Sequence, residues 1–237
     1  MRGKLVGSLL LTVLWVLGPA LDAQAEIYQF NFNAFTHREA GRLDVICFES
    51  GVEDTALRAP NAVASLIITA PDGTVFNLTK PGWIDLSKKF WGTYSADKFK
   101  SNTIPPGTYV ATVVDKSIPP KTLKGSDTIS PMTFLNPTTI TYPIGGTLPT
   151  LTPTFTWSGV AGAQHYRLLL FNVSWGEPVY WKTPVNPHHI YRNSYPVPVG
   201  DLMPNMQYSL RIEARDSDKN LNRRSVSKPV YFTAPAQ

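Results

Sequence analysis

A single cysteine, Cys47, stands in 237 residues, which rules out an internal disulfide, so the folded chain must be held together by packing alone. Charged residues make up only 16% of the chain against 43% hydrophobic, a balance that excludes a disordered, self-repelling polymer. Beyond Ile27 no 3.6-residue apolar period persists for three turns, which excludes a helical bundle. Basic residues are scattered, and after the N-terminal segment Lys88-Lys89 and Arg223-Arg224 are the adjacent pairs. A nucleic-acid-binding surface would need a denser stripe interleaved with aromatics. Only the first 20 residues hold a long apolar run.

That run is informative. Met1-Arg2-Gly3-Lys4 carries two positive charges, and Leu5–Leu17 is apolar apart from Gly7, Ser8 and Thr12. Gly18-Pro19 ends the run, and Ala23-Gln24-Ala25 presents small residues at the positions a signal peptidase reads. The layout predicts a secretory signal over residues 1–25 with cleavage after Ala25, hence a secreted or periplasmic protein. The run is shorter than the roughly 20 residues that a membrane span needs, and no later segment is apolar enough to supply one. Loss of Arg2, Lys4 and Asp22 with the signal would lower the net charge of +5 by one.

The remaining chain suits two domains of about 100 residues each. Proline is abundant, at 21 residues, and short period-2 runs dominate, as expected for short strands joined by turns. In the first half the runs Glu26–Asn33, Arg42–Glu49, Ala62–Thr69, Thr74–Leu78 and Thr108–Val114 read as strands. Ala70-Pro71-Asp72-Gly73 reads as a hairpin turn, because Pro presets one φ and Gly accepts a positive one. Gly82–Lys100 is less regular and reads as a long loop or a short helix near Asp85–Phe90. Residues 117–130, with Pro119, Pro120 and Gly125, read as a linker. In the second half strands are expected at Thr138–Tyr142, Thr154–Trp157, Tyr166–Asn172, Val179–Trp181, Ser194–Pro196, Tyr208–Arg215 and Val230–Ala234.

Pro153-Thr154-Phe155-Thr156-Trp157, then Gly162–Leu168, resembles the second and third strands of a fibronectin type III domain. Leu202-Met203-Pro204-Asn205-Met206-Gln207-Tyr208 resembles that family's tyrosine corner, and Arg211–Asp216 its sixth strand. The resemblance covers about residues 131–237. It implies a sandwich fold and almost nothing about function. Residues 26–116 more loosely resemble a bacterial immunoglobulin-like sandwich. The expected fold is therefore all-β: a signal peptide (1–25), an immunoglobulin-like β-sandwich (26–116), a linker (117–130) and a fibronectin type III-like sandwich (131–237).

The sequence contains no Gly-x-Ser-x-Gly elbow, and none of its four histidines neighbours a suggestive Ser or Asp, so no catalytic residue is expected and the chain reads as a non-enzyme. His188-His189 point opposite ways on an extended chain and match no zinc spacing. Asp216-Ser217-Asp218-Lys219-Asn220 begins like a calcium loop but lacks the turn Gly and the closing Glu. No cofactor or metal is expected, and Cys47 is expected to be buried in a sandwich core. The aromatics Trp175, Tyr180, Trp181, Tyr191 and Tyr195 cluster in sequence, as do Trp83, Trp91 and Tyr94. These eight are the candidate binding residues, because exposed rings bury large area for few lost torsions. The expected function is a non-enzymatic exported binding or structural module that engages another extracytoplasmic protein, such as part of a filament or envelope complex. Carbohydrate binding as an accessory to a polysaccharide-active system is the alternative.

Overall fold

The computed structural model describes residues 26–54, 61–79, 82–84, 89–180, 189–217 and 221–237; for 84 and 177–180 it describes the backbone alone. Residues 1–25, the expected signal, lie outside this range. The first half contributes β1 (Ile27–Glu39), β2 (Val45–Asp54), β3 (Val63–Thr69), β4 (Val75–Asn77), β5 (Trp83–Ile84), β6 (Lys89–Ser95), β7 (Gly107–Asp115) and β8 (Thr122–Ile129). The second half contributes β9 (Ile140–Tyr142), β10 (Thr154–Trp157), β11 (His165–Asn172), β12 (Glu177–Tyr180), β13 (Ser194–Pro196), β14 (Gln207–Arg215), β15 (Arg223–Val226) and β16 (Val230–Thr233). The fold is all-β.

In each half, two sheets face one another across an apolar core. In the first, β1-β2-β6-β5 faces β4-β3-β7-β8. The core between them centres on Phe48, whose ring lies 5.5 Å from Phe76, Tyr94 and Tyr109. In the second, β13-β10-β9 faces the sheet built around β11 and β14, over Phe155, Trp157, Leu168, Leu210 and Ile212. Each half carries the same corner device. Tyr109 donates its hydroxyl hydrogen to the Pro105 carbonyl at 2.6 Å, and the Tyr208 hydroxyl oxygen accepts from the Met203 amide at 2.8 Å. Burial raises the pKa of the Tyr109 phenol, which keeps it a donor.

The Pro71-Asp72-Gly73 turn forms as expected between β3 and β4. Gly73 sits at φ +75°, its amide donates to the Ala70 carbonyl at 2.9 Å, and the Asp72 carboxylate accepts from Thr74 and Ser101. The region 82–100 departs from its loop-or-helix reading. Trp83-Ile84 and Lys89–Ser95 form a hairpin in which Trp83 pairs with Phe90. A single 3-10 turn, Ala96–Lys98, follows, and of the expected helix residues Asp85–Lys88 lie outside the described range.

Residues 117–130 are not a free linker. Thr122–Ile129 pairs along its whole length with β7. The apolar signal was missing because only Leu123 and Ile129 of its inward positions are aliphatic. The other two serve β1. Asp127 accepts the Ala34 amide at 2.8 Å, and Gly125 lets β8 approach so closely that a Cβ there would stand 3.0 Å from Phe32. At the far end of β1, Asp115 accepts the Ile27 amide at 3.2 Å.

The second departure is larger. The two sandwiches are not beads on a string, because β15 joins β1 in parallel, with Thr36 opposite Arg223 and Glu39 opposite Val226. One sheet therefore runs β12-β11-β14-β15-β1-β2-β6-β5 through both halves. Arg-Arg-Ser-Val shows no apolar alternation, so β15 was not legible as a strand. Its partners on both sides are strands, and its charges are used at the seam. Arg224 lies with its guanidinium 5.0 Å from the ring centres of both Phe35 and Trp91. It also donates to His37 Nδ1 at 3.1 Å and stands 3.4 Å from the Glu213 carboxylate. Around it, Arg211 pairs with Glu39 at 2.7 Å, and Thr36 donates to the Thr133 carbonyl at 2.7 Å. Arg38 grips both oxygens of Asp44 and reaches Asn136 at 2.9 Å. The stretch Pro131–Asn136 is thereby laid against β1.

Replacing Arg224 with Met keeps the aliphatic stem and removes the charge. We expect a loss of about 2–4 kcal/mol and, by calorimetry, a single unfolding transition splitting into two as the sandwiches uncouple. One transition at an unchanged temperature would show that Arg224 does not couple them.

Candidate functional site

The six aromatic candidates whose side chains are described do not come together. Tyr195 is a core residue of the second sandwich, 4% exposed, and burial raises its phenol pKa. Trp83 packs edge-on to Phe90 at 5.0 Å, and Tyr94 lies 4.1 Å from Phe76 in the first core. Trp91 is part of the seam, edge-on to Phe35 at 5.6 Å and under Arg224. Tyr180 is described by its backbone alone in β12, and Trp181 lies outside the described residues.

Among the described candidates, two are exposed at the surface, Trp175 at 54% and Tyr191 at 62%. They occupy opposite ends of β11. Trp175 sits in the turn just after Asn172, and Tyr191 follows Ile190, which bridges to Tyr166. Six residues of strand separate these ends, about 20 Å. Closeness in sequence across a hairpin was thus misleading, because the chain leaves one end of the strand and returns at the other. Tyr191 helps line a shallow cavity of about 380 Å³ with His189, Ile190, Arg192 and Tyr195. His189 stacks on the buried His165 ring at 4.2 Å, and His188 lies outside the described residues. Trp175 has different neighbours. The Val173 amide donates to the Gln207 carbonyl at 2.8 Å, and Ser174 Oγ accepts from the Gln207 amide at 3.0 Å. The turn is therefore pinned to the corner Met203–Gln207, where Val173 and Met203 are also exposed.

Asp216, first residue of the calcium-like run, is committed elsewhere. It accepts from the amides of Asn222 and Arg223 and pairs with the Arg223 guanidinium at 2.9 Å; residues 218–220 lie outside the described range. Cys47 is fully buried, but not in a sandwich core. It sits with Phe35 and Leu221 in a small separate cluster on the outer face of the shared sheet, and burial pushes its thiol pKa up to about 12.

A site that the sequence reading missed lies on that same outer face. In the sheet register Asn33, Glu49 and Trp91 stand in one row across β1, β2 and β6, and Asn31 stands opposite Gly51 in the next row. Asn31, Asn33, Glu49 and Gly51, with Phe32, Lys89, Ser126 and Asp127, surround a polar cleft of about 460 Å³. Lys89 pairs with Glu49. Burial raises the pKa of Asp127 against the lowering effect of its two backbone donors, Ala34 and Thr128. The period-2 placement of Asn31, Asn33, Glu49 and Gly51 on adjacent strands was the available signal. It carried no chemistry until the register was known.

A second missed constellation is the seam itself. Burial, and then the Arg224 cation, lower the pKa of His37 to about 4, which keeps its ring neutral and able to accept from Arg224. Burial alone would raise the pKa of Glu213, but Arg215 and Arg224 hold it down at about 2. Both folded-state values lie below the unfolded ones, so each group stabilises the fold at higher pH. The His37 contribution, up to about 3 kcal/mol, is complete above pH 6.5 and is lost as the pH falls through about 4. Denaturant titrations should show stability falling across that window, and His37→Gln should flatten the slope. A wild-type curve that is already flat from pH 6.5 to 4 would contradict this account.

Among the described residues no helix is long and apolar enough to cross a membrane. No family model matches the chain, and no curated protein matches it. Among solved structures it is similar to dimeric latent PorU from Porphyromonas gingivalis, at 13% identity and a TM-score of 0.31 over 92% of this chain and 21% of that one. It is also similar to the BSP domain of a biofilm associated protein, at 10% identity and a TM-score of 0.23 over 86% of this chain and 29% of that one. The chain thus spans less than a third of the length of either structure, and likeness at this level assigns no function.

Proposed function

We propose that this chain is an exported, non-enzymatic binding module that engages another extracytoplasmic protein. In this reading residues 1–25 are a cleaved signal, residues 26–130 an immunoglobulin-like sandwich and residues 131–237 a fibronectin type III-like one. The Tyr208–Met203 corner bond and the packing of Trp157 against Tyr166 at 5.5 Å support the last assignment.

The observation that carries the function is the exposed apolar corner Val173, Trp175 and Met203, at 43%, 54% and 42% exposure. β15 runs parallel to the last four residues of β1, and β16 continues in the same direction. The start of β14 and the turn that bears Trp175 therefore lie at the end of the molecule away from Glu26. By strand rise the two ends are up to about 60 Å apart. An exposed Trp flanked by Val and Met at an extremity is what a protein hot spot requires, since a large rigid ring is desolvated at small entropic cost.

Cross-linking in the native envelope followed by mass spectrometry should recover a partner whose links concentrate at residues 173–176 and 203–207. Trp175→Ala should abolish these links while leaving the melting temperature within about 1 °C, because the ring supports no core. Undiminished links from the folded variant would remove the reading.

A further inference from the structure

We propose that the polar cleft over Gly51 is a binding site for a neutral saccharide. It is on the first sandwich, away from the Trp175 corner, and it stands or falls separately from the protein-binding reading.

The floor is bare backbone. A Cβ built on Gly51 would meet nothing within 4 Å, so the absence of a side chain opens the space and is not demanded by packing. The cleft, at about 460 Å³, falls within the roughly 300–1,000 Å³ typical of small-ligand sites. Its walls carry two planar amides and two carboxylates beside Phe32, Lys89 and Ser126. Asn31 and Asn33 are two residues apart on β1 and thus share a face, and no described residue hydrogen-bonds to either side-chain amide. Each amide presents a donor and an acceptor side by side, which matches a pair of vicinal ring hydroxyls. Glu49 is held by Lys89, and Asp127 by the amides of Ala34 and Thr128, so both carboxylates are oriented before a ligand arrives.

Charge and topology narrow the ligand class. Glu49 and Lys89 cancel, leaving Asp127 as the net charge of the cleft, which disfavours uronates and phosphates. An added peptide strand is excluded at the adjacent edge of β1. There β8 touches Phe30 and Phe32 through Gly125, and Asp127 already occupies the Ala34 amide. Trp91, the register partner of Glu49 on β6, provides a nearby optical reporter.

The test is a titration of the purified full chain with linear neutral hexasaccharides of glucose, mannose, galactose and N-acetylglucosamine, read by calorimetry and tryptophan fluorescence. Saturable binding of at least one is expected. Gly51→Val fills the floor in open space on a strand, so it should weaken binding about tenfold or more with the melting temperature unchanged. Asn31→Ala with Asn33→Ala, whose side chains hydrogen-bond to no described residue, should weaken it similarly and decides the matter if the Val variant does not fold. No binding by the wild-type chain, equal binding by the folded variants, or a preference for polyuronates would overturn the proposal. None of these results touches the cross-links at Trp175, so the two readings fail independently.

Discussion

The arrangement of the whole molecule depends on one half-buried cation. The parallel pairing of β15 with β1 spans only four residues, too short a ladder to fix two domains by backbone bonds alone. Side chains supply the rest, with Arg224 at their centre beside the Arg211–Glu39 pair and Leu221. The Arg224 guanidinium is largely withdrawn from water, at 14% side-chain exposure, which costs free energy unless it is matched by partners. Here Phe35 and Trp91 offer their ring faces, Glu213 its charge and His37 a neutral nitrogen. Glu213, at 6% side-chain exposure, is in turn tolerable only because Arg215 and Arg224 flank it. Each group makes sense only in the presence of the others, and the groups come from both sandwiches. The seam is therefore a condition of the joint arrangement, while each sandwich keeps its own apolar core.

With no disulfide available, this choice has consequences for the rest of the first sheet. Phe35 and Cys47 face outward, where a free-standing sandwich would put polar residues. They are sealed by Leu221, arriving from the second half, and by Trp91. The outer face of the shared sheet thus carries a third apolar cluster that exists only when the halves are joined. It also fixes Trp91, which stands opposite Glu49 in the sheet.

How far the sequence could be read follows from where hydrophobicity does the work. Thr154–Trp157 and Ser194–Pro196 were legible to the residue, and Tyr208 with its corner likewise, because a one-sided apolar core imposes alternation on them. β8 and β15 were not legible for the opposite reason. Asp127 and Gly125 in β8 answer to β1's amide and rings rather than to a core, and Arg223–Val226 is flanked by strands on both edges and covered by its own charged stems. Tyr195 lies in a core and Trp83, Trp91 and Tyr94 pack against apolar clusters, which the sequence did not reveal because a ring in a core and a ring in a site look the same there. The aromatic reading held for exposure at Trp175 and Tyr191 but not for their proximity. The polar cleft was hidden because its parts lie on separate strands and one of them, Gly51, contributes by having no side chain.

Joining two sandwiches through a sheet rather than a flexible tether also changes what they can do together. A tether of a dozen residues would let the Trp175 corner and the Gly51 cleft sample many relative positions, and a partner touching both would have to restrict them. The β1–β15 ladder and the Arg224 lock remove that cost in advance by setting one separation and one orientation. The return is selectivity. A protein partner and a saccharide surface presented at the matching spacing would be bridged with an effective concentration that geometry sets, and those at any other spacing would not be bridged at all. Weakening the seam by acid would relax that constraint before it unfolded either core, because His37 and Glu213 belong to the lock and not to either apolar centre.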